Sequence, residues 1–293
     1  MTHTHHRPPA TPPAPPPLSL SRHWVWLAYG SLVLLTLFLT VPWRVGVGDT
    51  WGAVVQGRYI LAHGLPQTDP FSYTAPSTGQ PLVIHEWLGN VLFALTYDAA
   101  GMAGLVALKV LLVSLTLGLM VHTAHSLGAS LGVTTLMFGL LCWMVWASFV
   151  ERMYLFSSLG LTAYLWLYVH VRQRKGSPHW LWLLVPGQAL WANLHGGHVQ
   201  GLVLLGIFGC GEGMAWARAR YGGARVDQAL PGRLVVHFLL LPVFAMAAAC
   251  VTPYGWGLLV QPLREAAMER ALALQEQTPV NLRLAPTDVL STR

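Results

Sequence analysis

Apolar residues in this chain concentrate in seven runs, at 24–41, 102–121, 133–150, 154–171, 180–193, 199–217 and 234–251, with more polar segments between them. A helix rising ~1.5 Å per residue needs ~20 apolar residues to cross a hydrocarbon core about 30 Å thick. A chain that crosses lipid must also satisfy its own backbone polar groups, which favours helices. The pattern therefore predicts an all-α fold, a polytopic integral membrane helical bundle of about seven spans with short interfacial or re-entrant helices. The 24–41 run is too long for a signal-peptide core and no small-residue cleavage site follows it, so it reads as a retained first span. The 180–193 run is short, and Pro186 predicts a kink within it.

Two shorter patterns lie between the first and second runs. In "GDTWGAVVQGRYILAHG", Asp49 stands where an N-cap belongs. Trp51, Val54, Val55, Ile60 and Leu61 give an apolar side, and Gly64 with Pro66 ends the pattern. This predicts a helix lying flat on the membrane. The stretch "EWLGNVLFALTYD", closed by "AAGMAG", predicts a second helix too short to span. Residues 1–22, with "RPPATPPAPPP" and three His, predict a disordered cytoplasmic tail. The expected organisation is that tail, a transmembrane helical domain over 23–263 with an outer loop at 44–86, and a polar C-terminal tail over 264–293. No internal repeat is visible, which gives a transporter built from inverted repeats no support.

Composition agrees with this picture: 54% of residues are apolar and 10% charged, against roughly 25% charged in a soluble domain. Trp and Tyr cluster beside the ends of the runs, where bilayer meets water. The net charge of +6 does not point to nucleic acid, because the basic residues sit in small groups between spans. Placing the N-terminus in the cytoplasm puts Arg7, Arg22, Arg172, Arg174, Lys175, Arg218, Arg220, Arg225 and Arg233 inside, and leaves Arg44, Arg58 and Arg152 outside before the tail. The chain is expected to be an integral membrane protein with its N-terminus in the cytoplasm. Cys142, Cys210 and Cys250 each lie in an apolar run and read as small buried residues.

The same orientation sends the polar interruptions to the outer face. Asp49 reads as a cap, as a carboxylate at a cavity mouth able to take a proton from a hydroxyl if burial raises its pKa, or as both together. Asp69, before Pro70, reads as a turn opener. His85 and Glu86 are read either as ordinary residues of a helix start or as a pair at the outer rim that binds a phosphate and sugar hydroxyls or helps to hold a metal. Glu151 and Arg152 either stop two helices from sinking or let Arg152 clamp an anionic lipid phosphate. Lys109 snorkels or faces a polar interior. In "WANLHGGH", Asn193, His195 and His198 face water or a cavity at a helix break for which Gly196 and Gly197 supply backbone freedom. Zinc at His195 and His198 is the sharper option, hydrogen bonding to a substrate or to loops the other. Gly197 with Gly201 and Gly209 with Gly213 predict close helix contacts. Tyr254, in "TPYGWG", reads as an interface residue.

The ordered motifs "GDTW", "GRYILAHGLPQTDPFSYT", "HEWLGNVLFALTY", "ERMYLFS", "WANLHGGHVQGLVLLG" and "TPYGWGLLVQP" resemble bacterial members of the C-type (GT-C) glycosyltransferase superfamily, the protein-mannosyltransferase group in particular. The likeness covers roughly 24–264. It implies transfer of a sugar from a polyprenyl-phosphate donor to an acceptor on the non-cytoplasmic face. The family's acidic catalytic residue of the first outer loop would match Asp49. By chemistry rather than motif, Arg58, Arg152 and His85 are candidates to steady the leaving phosphate. No cofactor is expected, with a divalent metal as an open option. The partners implied are the sugar lipid and the bilayer. Superfamily members usually carry more spans and often a further outer domain, so the chain is expected to be an incomplete form. The alternative is a non-catalytic membrane protein that binds lipid or polysaccharide in a cell-envelope assembly.

Overall fold

A computed structural model of the chain describes residues 30, 48–71, 82–145, 152–173, 177–222, 229–261 and 270. Apart from Gly30 and Arg270, the expected tail at 1–22, the first span at 24–41 and the tail at 264–293 lie outside those residues, as do Arg44 and Glu151.

The described residues form α1 (Gly48–His63), α2 (Trp87–Ser126), α3 (Leu131–Val145), α4 (Tyr154–Arg172), a 3-10 segment (Pro178–Leu183), α5 (Leu184–Leu194), α6 (His198–Tyr221) and α7 (Gly232–Ala249). Among them there is no β-strand. Three helices, α2, α6 and α7, are long and apolar enough to cross a membrane.

At Gly101, φ is 58° and ψ is −145°, so α2 is two helices meeting at one glycine that takes a backbone shape other residues avoid. The expected short helix and the expected span are thus both present, and they abut without a loop. Pro186 lies in the first turn of α5, a position that tolerates proline. The irregularity sits just before it: six residues of 3-10 helix and 11 of α-helix together reach roughly 28 Å.

The buried face of α1 is Thr50, Ala53, Val54, Gly57 and Ile60, while Trp51, Val55 and Leu61 are exposed. Only part of the apolar side expected from sequence therefore packs inward. A Cβ at Gly57 would lie 2.1 Å from the Asn90 carbonyl oxygen, so the glycine lets α1 rest directly on the backbone of α2. Gly64, with φ of 79°, ends α1 as expected, its N–H donating to the Ile60 carbonyl at 2.9 Å.

Successive helices return to the same two ends of the molecule. At one end, Gln173 after α4 donates to the Ser126 carbonyl closing α2 at 2.8 Å, and Arg172 meets Glu212 of α6 at 2.6 Å. At the other, Trp87 Nε1 donates to Asn193 Oδ1 at 2.8 Å, Asn193 Nδ2 to the Val251 carbonyl at 2.9 Å, and the Ile84 N–H to Tyr254 Oη at 3.1 Å. The main apolar core joins α4 to α7 through Tyr164, Leu167, Trp191, Leu205, Phe238 and Leu241. There a Cβ at Gly209 would come 2.7 Å from the Phe238 carbonyl oxygen, which supports the close approach expected of that glycine.

Candidate functional site

At the second of these ends, a cavity of about 210 Å³ opens among α1, the start of α2, the start of α4 and the turn after α5. Asp49, Thr50, Glu86, Arg152, Tyr154 and His195 supply its polar lining, and Ala53, Phe93 and Met153 its apolar part. Four of the residues singled out in the sequence, Asp49, Glu86, Arg152 and His195, converge here although they are far apart along the chain.

Asp49 lies in the first turn of α1, one residue after Gly48, where a carboxylate is favoured by the helix dipole. Its Oδ2 pairs with Arg152 Nη2 just ahead of α4. The side chains are 67% and 43% exposed, so the desolvation foreseen for Asp49 is not found. An ion pair this open contributes about 0–1 kcal/mol and gives way easily to a competing anion.

Glu86 precedes α2 without capping it, because its side chain turns toward two histidines. His195 Nε2 stands 3.2 Å from Glu86 Oε1, and His85 Nε2 stands 3.4 Å from the same oxygen. His195 has extended backbone at the end of α5 and is fastened on its other side. Its Nδ1 is 2.9 Å from the Gly197 N–H and 2.6 Å from Ser157 Oγ, and Trp191 Nε1 donates to that Oγ at 2.8 Å. Burial pushes His195 below its ordinary value of 6.5; the Glu86 carboxylate works against this and neighbouring His85 adds to it.

The remaining expected site residues lie elsewhere. Arg58 is two turns and more along α1, outside the cavity lining, with Nε 2.9 Å from Asp98 Oδ1 and its guanidinium over Tyr97. Asn193 is buried, and its three hydrogen bonds go to Trp87, Ala189 and Val251, which makes it a strut rather than a wall of the cavity. His198 is fully buried, with Nδ1 3.4 Å from the His195 carbonyl and Nε2 without a partner. No group of three or more His, Cys, Asp or Glu side chains is arranged to hold a metal among the described residues, so zinc at His195 and His198 gains no geometric support. Asp69 accepts from the Phe71 N–H at 2.8 Å, the turn expected of it. Lys109 is buried in α2.

Sequence reasoning passed over Ser157, Trp191 and the buried Glu212, which accepts from Tyr168 Oη and Arg172 Nε, each at 2.6 Å. A serine inside an apolar run and a carboxylate in one were the available signals. No protein-family model, curated protein or solved structure matches the chain.

Proposed function

We propose that this chain is a membrane glycosyltransferase, moving a sugar from a polyprenyl-phosphate donor to an acceptor hydroxyl at the non-cytoplasmic face. The observation that carries the reading is the convergence of Asp49, Glu86, Arg152 and His195 on one cavity at a single end of apolar helices. At about 210 Å³ the cavity is below the roughly 300–1,000 Å³ of pockets that enclose drug-sized ligands, which suits a head group whose chain stays in lipid.

In this reading a donor phosphate competes for the forked donors of Arg152 and releases Asp49 from its pair. Asp49 then takes the proton of the acceptor hydroxyl while that oxygen bonds to the anomeric carbon. The bond from that carbon to the phosphate oxygen breaks, its electron pair stays on the phosphate, and Arg152 steadies the charge that grows there. Attack from the side opposite the phosphate inverts the anomeric centre. The bundle of about seven spans and the inner-membrane location belong to this same proposal.

Membranes holding the protein are expected to transfer radiolabelled sugar from a polyprenyl-phosphate donor. Asp49→Asn is expected to lower transfer by ~10²-fold or more while the protein still folds, the scale on which a positioned base acts. Arg152→Gln is expected to reduce both transfer and donor binding. Full transfer by Asp49→Asn would remove Asp49 from the mechanism, and donor binding without transfer by the unaltered protein would favour a non-catalytic lipid-binding role.

A further inference from the structure

Three hydrogen bonds behind the cavity fix the protonation of His195. Trp191 Nε1 is a donor only, and at 2.8 Å it occupies a lone pair of Ser157 Oγ. The Ser157 hydroxyl, which keeps its proton and a second lone pair, lies 2.6 Å from His195 Nδ1 and donates to it or accepts from it according to the tautomer of the ring. The Gly197 backbone N–H, again only a donor, reaches the same Nδ1 at 2.9 Å. A nitrogen that accepts from a donor-only N–H carries no proton of its own, so the Ser157 hydroxyl donates to it as well, and a neutral ring carries its proton on Nε2, which stands 3.2 Å from Glu86 Oε1.

We propose that Ser157, Trp191 and the Gly197 N–H lock His195 as a neutral Nε2–H imidazole. His195 is thereby a permanent donor to Glu86, and Glu86 is the acceptor that this wall of the cavity offers to the hydroxyls of a sugar head group. The ligand class rests on the glycosyltransferase reading; the lock itself does not. His195 is in this scheme a positioning residue. It cannot act as a base at Nε2, which is protonated, nor at Nδ1, which is blocked by donors. The two sides of the cavity then divide the head group, phosphate to Arg152 and hydroxyls to Glu86.

Ser157, His195 and Glu86 share the residue types of a hydrolytic triad, but the arrangement does not serve one. Ser157 is buried, lies outside the cavity lining and already accepts from Trp191. Glu86 and His85 ahead of α2 bear on the charge of His195, His198 of α6 is coupled to it, and Asp49, Arg152 and Tyr154 line the same cavity.

The test uses the full chain in lipid nanodiscs with 15N-labelled histidine, the His195 signals being assigned by their loss in His195→Gln. At pH 7 they are expected to show a protonated Nε2 and a bare Nδ1, and this state is expected to persist as the pH falls through 6.5, where an ordinary histidine is half charged. Ser157→Ala removes one of the two donors that oppose protonation at Nδ1, so the titration is expected to move up while the Gly197 N–H still keeps Nδ1 bare in the neutral ring; Ser157→Thr, which keeps the hydroxyl, is expected to bring the titration back. A wild-type ring protonated on Nδ1, a charged ring at pH 7, no response to Ser157→Ala, or covalent labelling of Ser157 by a fluorophosphonate would each overturn the lock. These readouts need no substrate. Absence of sugar transfer with the tautomer as described would count against the glycosyltransferase reading alone.

Discussion

The glycine pair in "LHGGH" shows how a residue is required for a reason its neighbours in sequence do not reveal. Backbone freedom is the reason sequence supplies, yet Gly197 has φ of −63° and neither glycine is among those with positive φ. The reason is space: a Cβ at Gly197 would lie 2.3 Å from Ser157 Oγ, and one at Gly196 3.1 Å from the His85 ring. Gly197→Ala is therefore expected to cost about 1–3 kcal/mol by overpacking and to displace Ser157 from His195. Gly187→Ala in α5, where nothing lies within 4 Å, is expected to be stabilising by roughly 0.5–1 kcal/mol. Thermal unfolding of the two variants in one detergent decides; equal midpoints would show that the space at Gly197 is not limiting. Asp49, Glu86, Arg152 and His195 were legible because a polar side chain beside an apolar run is costly and needs a purpose. Ser157 and Trp191 were not, since a serine inside a helix and a tryptophan near a span end both have ordinary uses. Asn193 was read as a ligand group because its partners Trp87 and Val251 are distant in sequence.

At the scale of elements, length and punctuation were easier to read than faces. Gly64 ends α1 as expected, whereas Asp49, expected as the cap, lies inside the first turn; the kink of α2 falls where "AAGMAG" announced a break. The inward face of α1 was harder, because hydrophobic periodicity is carried by large apolar side chains and this contact is made by small ones. Gly57 rests on the Asn90 carbonyl, and Asn90 Nδ2 donates to Gln56 Oε1 at 2.9 Å. Trp51, Val55 and Leu61 are left outside, where they can meet lipid. Gly57→Ala puts a methyl against backbone that cannot swing away, so α1 is expected to lift from α2 at a cost of about 1–3 kcal/mol. Hydrogen exchange over 48–63 should then quicken selectively, whereas Val55→Ala, at a 52% exposed position, should leave it unchanged. Unaltered exchange in Gly57→Ala would mean that α1 is held by something other than this contact.

Across the whole molecule, the chemistry separates by end. Arg172, Arg218, Arg220 and Arg233 gather around the ends of α4 and α6 and the start of α7, while the cavity opens where α5 and α7 finish and α2, α4 and α6 begin. Basic residues stay on the cytoplasmic side during insertion, so the cavity is expected to face the other compartment. That Asp49, Glu86, Arg152 and His195 share one end was legible in sequence because each falls after an odd number of expected crossings, and a helix carries sidedness from one end to the other. The inference has a direct check in a background lacking Cys142, Cys210 and Cys250. Single cysteines at Asp49, at Trp256, which is 68% exposed, and at Tyr221, which is 77% exposed, are treated with a membrane-impermeant maleimide on intact cells. Positions 49 and 256 are expected to label from outside and position 221 only after permeabilisation. Labelling of all three only after permeabilisation, or of 221 alone from outside, would reverse the orientation and put the cavity out of reach of an acceptor at the outer surface. Labelling of 49 and 256 from opposite sides would be graver, because Asp49 and Arg152 would then be unable to meet, and the cavity formed at that end would not exist.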